Sequence, residues 1–160
     1  MKKLAVAAWC EAFGIVPPSD AQLKELSQAA KASADKGRQI LIEYLRGGEV
    51  GVEKWNKLGS EARVRHGAFK KVDLSNLDLT KAHIGGSREH PLDMPGCNFE
   101  KSVLSGAQGT HFDASKSNFN HTVLEKAAFQ YSKFQECDFS GASLKGAYLT
   151  KRESISASKC

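Results

Sequence analysis

Between Val72 and Lys151 a Leu, Ile, Met or Phe tends to return at every fifth residue, most plainly at Phe119, Leu124, Phe129 and Phe134. Five matches neither the helical period of about 3.6 nor the strand period of about 2, so no single amphipathic element accounts for the stretch. A larger repeating geometry must set the spacing. Read in steps of five from Val72, the chain divides into sixteen units, VDLSN to AYLTK, with no insertion. The third residue of a unit is mostly large and apolar, the first mostly small, and the second often Asp or Asn.

This A(D/N)LXX pattern over residues 72–151 resembles that of the pentapeptide repeat family. The resemblance implies a right-handed quadrilateral β-helix in which each unit forms one side of a square coil. Four units then complete a turn, and the whole makes about four coils stacked roughly 4.8 Å apart. First and third residues would point inward, which makes Leu74, Leu79, Phe99, Leu104, Phe112, Phe119, Leu124, Phe129, Phe134, Phe139, Leu144 and Leu149 the expected core. With 20 residues per turn, Phe99, Phe119 and Phe139 should stack above Leu79, with Asp78, Asn98, Asn118 and Asp138 beside them. Asp73, Asp93 and Asp113 should form another column. Gly109 and Ala114 stand where a large residue belongs and Phe112 where a small one belongs, so the Phe112 ring is expected to fill the space they leave. "SREHP" is the irregular unit, and the glycine-flanked "GGSREHP" should bulge from the coil.

The residues before the repeats read as helical, which makes the fold class α+β: an α-helical cap over 1–66, the β-helix over 67–151 and a disordered tail over 152–160. "LAVAAWCEAF" is a short helix candidate. A second begins after Pro18 with Ser19 and Gln22 spaced as a capping box, carries an apolar stripe through Leu23, Leu26, Ala30, Ala34, Ile40, Leu41, Tyr44 and Leu45, and stops at Gly47 and Gly48. A third, "GVEKWNKLGSEARV", presents Val52, Trp55 and Leu58. Their natural role is to cover the open edge of the first coil, with Trp55 in the lid. The polar "RESISASKC" offers the last coil no such cover, which points to a homodimer through the C-terminal coil or to a tail folded over it.

Charge excludes the simplest nucleic-acid reading. The net charge is +5, but residues 1–66 carry 11 Lys/Arg against 8 Asp/Glu, and residues 67–151 carry 10 against 9, without a basic block. No apolar run has transmembrane length, and the start lacks the apolar length and cleavage site of a signal peptide, so no membrane partner is expected. Cys10, Cys97, Cys137 and Cys160 form no CxxC pair and fit a reducing cytoplasm. Cys97 and Cys137 share an inward column about 10 Å apart, too far for a disulfide.

No catalytic grouping emerges. His66, His83, His90, His111 and His121 fall on different sides or levels, no Ser-His-Asp or Cys-His set appears, and no residue implies a metal or other cofactor. The Asp73, Asp93, Asp113 column could hold a cation, although side-chain acceptance of corner N–H groups explains those residues more simply. A solenoid with a filled interior has no substrate pocket, so the chain reads as a non-enzyme. The surface that stands out carries Arg88, His90, His111, Tyr131 and Tyr148, aromatic and basic residues of the kind protein interfaces favour. These features read as a protein–protein interaction or scaffold module with an unidentified protein partner. The family resemblance adds two alternatives, a DNA gyrase-interacting topoisomerase modulator of the quinolone-resistance type and a secreted bacterial effector. A duplex-DNA mimic would need a strongly acidic stripe, because DNA carries about one charge per 1.7 Å of axis. The repeat segment instead carries a net charge of 10 − 9 = +1.

Overall fold

The computed structural model describes residues 19–150. The chain divides into two compact units, Met1–Asp35 and Lys36–Cys160, so the helical residues 36–66 belong with the repeats. The helix candidate at residues 4–13 and the tail at 152–160 lie outside the described residues. Helix α1 spans Asp20–Arg46, α2 spans Gly48–Asn56 and α3 spans Ser60–Val64. Five short strands follow: β1 Leu92–Asp93, β2 Gln108–Thr110, β3 Phe112–Asp113, β4 Ala128–Gln130 and β5 Tyr148–Thr150.

The α1 start has the reciprocal bonds of a capping box: the Ser19 N–H donates to Gln22 Oε1 at 2.8 Å and the Gln22 N–H to Ser19 Oγ at 3.3 Å. Its apolar stripe differs in detail from the expected one. Leu41, Ile42 and Leu45 are buried while Ile40 is 42% exposed, so the packed face lies one residue further round the helix. Leu26, expected in the same stripe, is 63% exposed. The single helix expected over 51–64 is two, separated at Gly59, which adopts an extended conformation and starts α3.

Within the repeats every strand pairing is parallel. Residues 20 apart lie side by side, as in Leu92 with Phe112, Gly109 with Phe129, and Phe129 with Leu149. The period of five has a backbone cause. Between Asn76 and Gly146 a residue with left-handed φ closes each unit except those ending at Gly86 and Pro91, for example Lys101 (57°), His111 (52°), Lys116 (64°), His121 (56°), Lys126 (57°) and Tyr131 (55°), so outside those two units the chain turns a corner at every fifth residue.

The expected register fails at one place. Asp73 pairs with Asn98, Asp78 with Val103 and His83 with Gln108, each 25 residues apart instead of 20. The five extra residues are the "SREHP" unit at 87–91, which leaves the ladder as a closed loop. The Ser87 N–H donates to His90 O at 2.9 Å, and the ladder resumes where the Leu92 N–H donates to His111 O at 2.9 Å. Gly86 is required at the neck, because a Cβ there would collide with His90 O. Sixteen uninterrupted units is therefore corrected to a ladder with one inserted unit.

The columns shift accordingly. Asp73, not Asp78, stands in register with Asn98, Asn118 and Asp138, and Asp73 does not share a column with Asp93 and Asp113. The true neighbour of Asp113 on the next level is Lys133. In the first of these columns Asn98 Nδ2 donates to Asp73 Oδ1 and Asn118 Nδ2 to Asn98 Oδ1, both at 3.1 Å, while Oδ1 of each also accepts the N–H two residues on.

The interior is a stack of side chains. Phe99, Phe119 and Phe139 stack face to face at 4.8 and 4.9 Å with interplanar angles of 6° and 11°. That spacing is the strand separation itself. Phe112 is buried against Phe99, Phe129 and Phe134 at 6.5, 5.6 and 5.9 Å, while the atoms closest to a Cβ at Gly109 are the Ile84 carbonyl and the Phe129 ring, not Phe112. Leu74, Leu79, Leu104 and Leu124 are fully buried. Leu144 is 37% exposed and Leu149 only half-buried, because they belong to the last level and no further turn among the described residues stacks on them. Cys97 and Cys137 are buried free thiols that donate to Phe69 O at 2.9 Å and Ala114 O at 3.0 Å. Burial raises both pKa values to about 11, which keeps them protonated and unreactive.

Residues 36–66 cover the first level. Trp55, fully buried, meets Phe69 edge to face at 6.1 Å and donates through Nε1 to His83 O at 3.0 Å. The Asn56 side chain takes the place of a missing strand: Oδ1 accepts the His83 N–H at 2.8 Å and Nδ2 donates to Lys81 O at 3.0 Å. Buried Arg63 donates to His83 O, Gly85 O and Leu58 O at 2.7 to 3.2 Å and lies over the Trp55 ring at 5.7 Å. Desolvation lowers its pKa, and the charge is held by these carbonyls and the ring.

Candidate functional site

His111 and Tyr131 occupy successive left-handed corners of one column. The same corner geometry that turns the chain therefore aligns their rings, which stack at 5.3 Å with an interplanar angle of 16°. Tyr131 remains 58% exposed. His111 is half-buried, and its Nδ1 is shielded from solvent without a hydrogen-bond partner. Beside the pair runs a shallow groove of about 200 Å³ lined by Arg88, Pro91, Asp93, His111, Phe112, Asp113, Tyr131 and Lys133.

Of the five residues marked in the sequence, the structure brings Arg88, His111 and Tyr131 together. His90 is exposed on the inserted loop, with its N–H bonded to Ser87 Oγ at 3.1 Å, and does not line the groove. Tyr148, 65% exposed, stands on β5, one level beyond Ala128 of β4. Sequence reasoning paired Asp93 with Asp113 but placed Asp73 in their column and missed Lys133. The same spacing of 20 that joined Asp93 to Asp113 was the available signal for Lys133.

Asp93 and Asp113 face each other across β1 and β3. Burial pushes the Asp93 carboxyl above its ordinary value and the Asp113 charge adds to that, while Lys133 and Lys70 act against it. The Asp113 Oδ1 accepts the Ser115 N–H at 3.0 Å, the corner bond expected of these side chains. Among the described residues no cluster of His, Cys, Asp and Glu has the geometry to hold a metal ion. Arg88 and Lys133 beside the two carboxylates and a half-open aromatic stack make a surface of mixed sign with an apolar floor at Phe112.

A chain that advances one parallel ladder spacing every 20 residues, with its interior filled by stacked side chains, defines a repeat protein whose chemistry lies on its outside. Residues 113–146 match the family model Pentapeptide repeats, in eight copies. No curated protein sequence matches the chain. Among solved structures it is similar to trypsin-treated QnrB1, a plasmid-mediated fluoroquinolone resistance protein, with 23% identity, a TM-score of 0.43, and coverage of 52% of this chain and 44% of that one. It is also similar to HetL, a pentapeptide repeat protein involved in heterocyst differentiation regulation from the cyanobacterium Nostoc, with 19% identity, a TM-score of 0.21, and coverage of 52% and 38%. The chain thus spans less than half the length of either structure. Among the described residues no helix is long and apolar enough to cross a membrane.

Proposed function

We propose that the protein is a non-enzymatic protein–protein interaction or scaffold module. In this reading the stacked levels form a right-handed quadrilateral β-helix of about four coils, closed at its first coil by residues 36–66, in a compartment reducing enough to keep Cys97 and Cys137 as thiols. The observation that carries the proposal is the His111–Tyr131 stack, with Tyr131 58% exposed beside Arg88 and Lys133. A stacked tyrosine loses little conformational entropy on binding and offers a large amphipathic surface, which is how aromatic anchors dominate interfaces. Tyr148 and the loop carrying His90 would extend the contact. The exposed Leu144 of the last level supports a second contact, between two copies of the chain.

The test is an affinity capture from a bacterial lysate, comparing wild type with Tyr131→Ala/Tyr148→Ala. Both side chains are largely exposed, so the variant should fold and elute like wild type. A protein captured by wild type and lost with the variant supports the reading, and gyrase subunits in that set would favour a topoisomerase modulator. Identical captures would move the binding surface elsewhere. Sedimentation of wild type against Leu144→Asp tests self-association through the last level.

A further inference from the structure

Covering of the first level by residues 36–66 is uneven. At His83 both outward groups of the backbone are taken, the N–H by Asn56 and the carbonyl by Trp55 and Arg63. At Asp73 the carbonyl accepts from Arg46 Nη2 at 2.7 Å. At Asp78 neither is taken. The Leu79 N–H donates to Val103 O and the Val103 N–H to Leu77 O, both at 2.8 Å, so the groups flanking Asp78 turn toward the second level. The Asp78 N–H and C=O therefore turn the other way, and no group among the described residues meets them.

A cleft of about 400 Å³ opens at this edge, with Glu49, Val52, Glu53 and Asn56 of α2 on one wall and Asp78, Thr80 and Lys81 on the other. Three carboxylates face one ammonium. The Thr80 side chain, and after it the Thr80 N–H that donates to Asp78 Oδ1 at 3.0 Å, hold the Asp78 carboxyl below its ordinary value. A free strand edge selects an extended backbone with its own unpaired groups, and the surplus negative charge selects basic side chains on it.

We propose that the cleft between α2 and the Asp78 edge binds an extended peptide segment bearing lysine or arginine, which adds to the first level as a further strand. The segment's backbone exchanges two hydrogen bonds with Asp78, one in each direction, while its basic side chains face Glu49 and Glu53. This surface lies apart from the Arg88–Tyr131 groove, and either can fail without the other.

The test uses the full chain, isotope-labelled for NMR, and a six-residue capped peptide alternating lysine and valine. The expected result is saturable binding, with exchange of the Asp78 amide slowed at least tenfold. The Glu49→Gln/Glu53→Gln variant, altered only at exposed positions, should bind at least tenfold more weakly. A glutamate–valine peptide and the fully N-methylated lysine–valine peptide should not bind. An Asp78 amide unchanged at millimolar peptide overturns the proposal. So does binding that survives N-methylation or is matched by spermidine, since either would mean that the cleft only attracts positive charge.

Discussion

The first and last levels are built from the same kind of repeat and yet have different interiors. Leu79, Leu104, Leu124 and Leu144 occupy one inward column, and the first three are fully buried while Leu144 is 37% exposed. Nothing local to the residue makes the difference. In a stack, each side chain is enclosed by the levels above and below it, so a level has a core only where something lies on both sides. At the first level that something is not another repeat. Trp55, Asn56 and Arg63 come from two helices, and they satisfy with side chains the backbone groups that a further strand would have met. The cover thus supplies both apolar contact and hydrogen-bond closure.

The sharpest way to break this comparison is Trp55→Ala. It removes a fully buried ring from Phe69 and one of the two side-chain donors to His83 O, and should cost about 3–5 kcal/mol in urea unfolding, the range for a large buried aromatic. Next in size is the pair Leu124→Ala and Leu144→Ala. The same substitution in the same column should cost about 2–5 kcal/mol at Leu124 and less than about 1 kcal/mol at Leu144. Equal costs would mean that the last level is covered in solution, by a second copy or by the remainder of the chain. Asn56→Ala should cost about 1–2 kcal/mol, because it leaves a His83 N–H and a Lys81 carbonyl without partners. Asn56→Asp is the more discriminating change. It keeps the acceptor for His83 and puts an oxygen against the Lys81 carbonyl, so it should recover no more than part of that loss.

Much of this was legible in the sequence, and the reasons differ by feature. The period of five was readable because a left-handed corner closes nearly every unit from Asn76 to Gly146 and imposes that period on the repeats. Inward positions followed from that period, Phe112 among them. The inserted unit was not readable as an insertion, because 87–91 has the length of one repeat and leaves the phase of five intact. Only the period of 20 is broken; the flanking Gly85 and Gly86, the proline and the charge marked a bulge at "SREHP" but not that it shifts the register of the units before it. From that single slip came the wrong partners for Asp73 and Asp78. Asn56 and Arg63 were invisible for another reason: a polar residue on a short helix carries no mark in sequence that it will close a ladder edge 20 or more residues away.

The smallest effect tests the corrected register directly. With Asp73 in the column of Asn98 and Asn118, a neighbouring amide donates to its carboxylate; Asp93 instead faces the carboxylate of Asp113. Like charges directly opposite each other on adjacent strands destabilise by a few tenths of a kcal/mol, less where solvent screens them. Asp93→Asn should therefore raise stability at neutral pH by about 0.5 kcal/mol, with the new amide free to donate to Asp113 as Asn98 donates to Asp73. The sign with pH is fixed by the raised Asp93 pKa. Because the folded state binds this proton more tightly than the unfolded chain, wild type recovers stability as pH falls through the folded pKa towards the ordinary value of 3.8. The advantage of Asp93→Asn should accordingly be full at pH 7 and fade as that window is crossed. For Asp73, whose pKa is lowered by its bonds to Ser75, the dependence runs the other way, and stability is lost as pH falls through the folded value. Urea midpoints of wild type and Asp93→Asn at pH 7 and pH 4 isolate the Asp93 contribution by difference. An advantage that grows on acidification would mean that Asp93 and Asp113 do not face each other in solution.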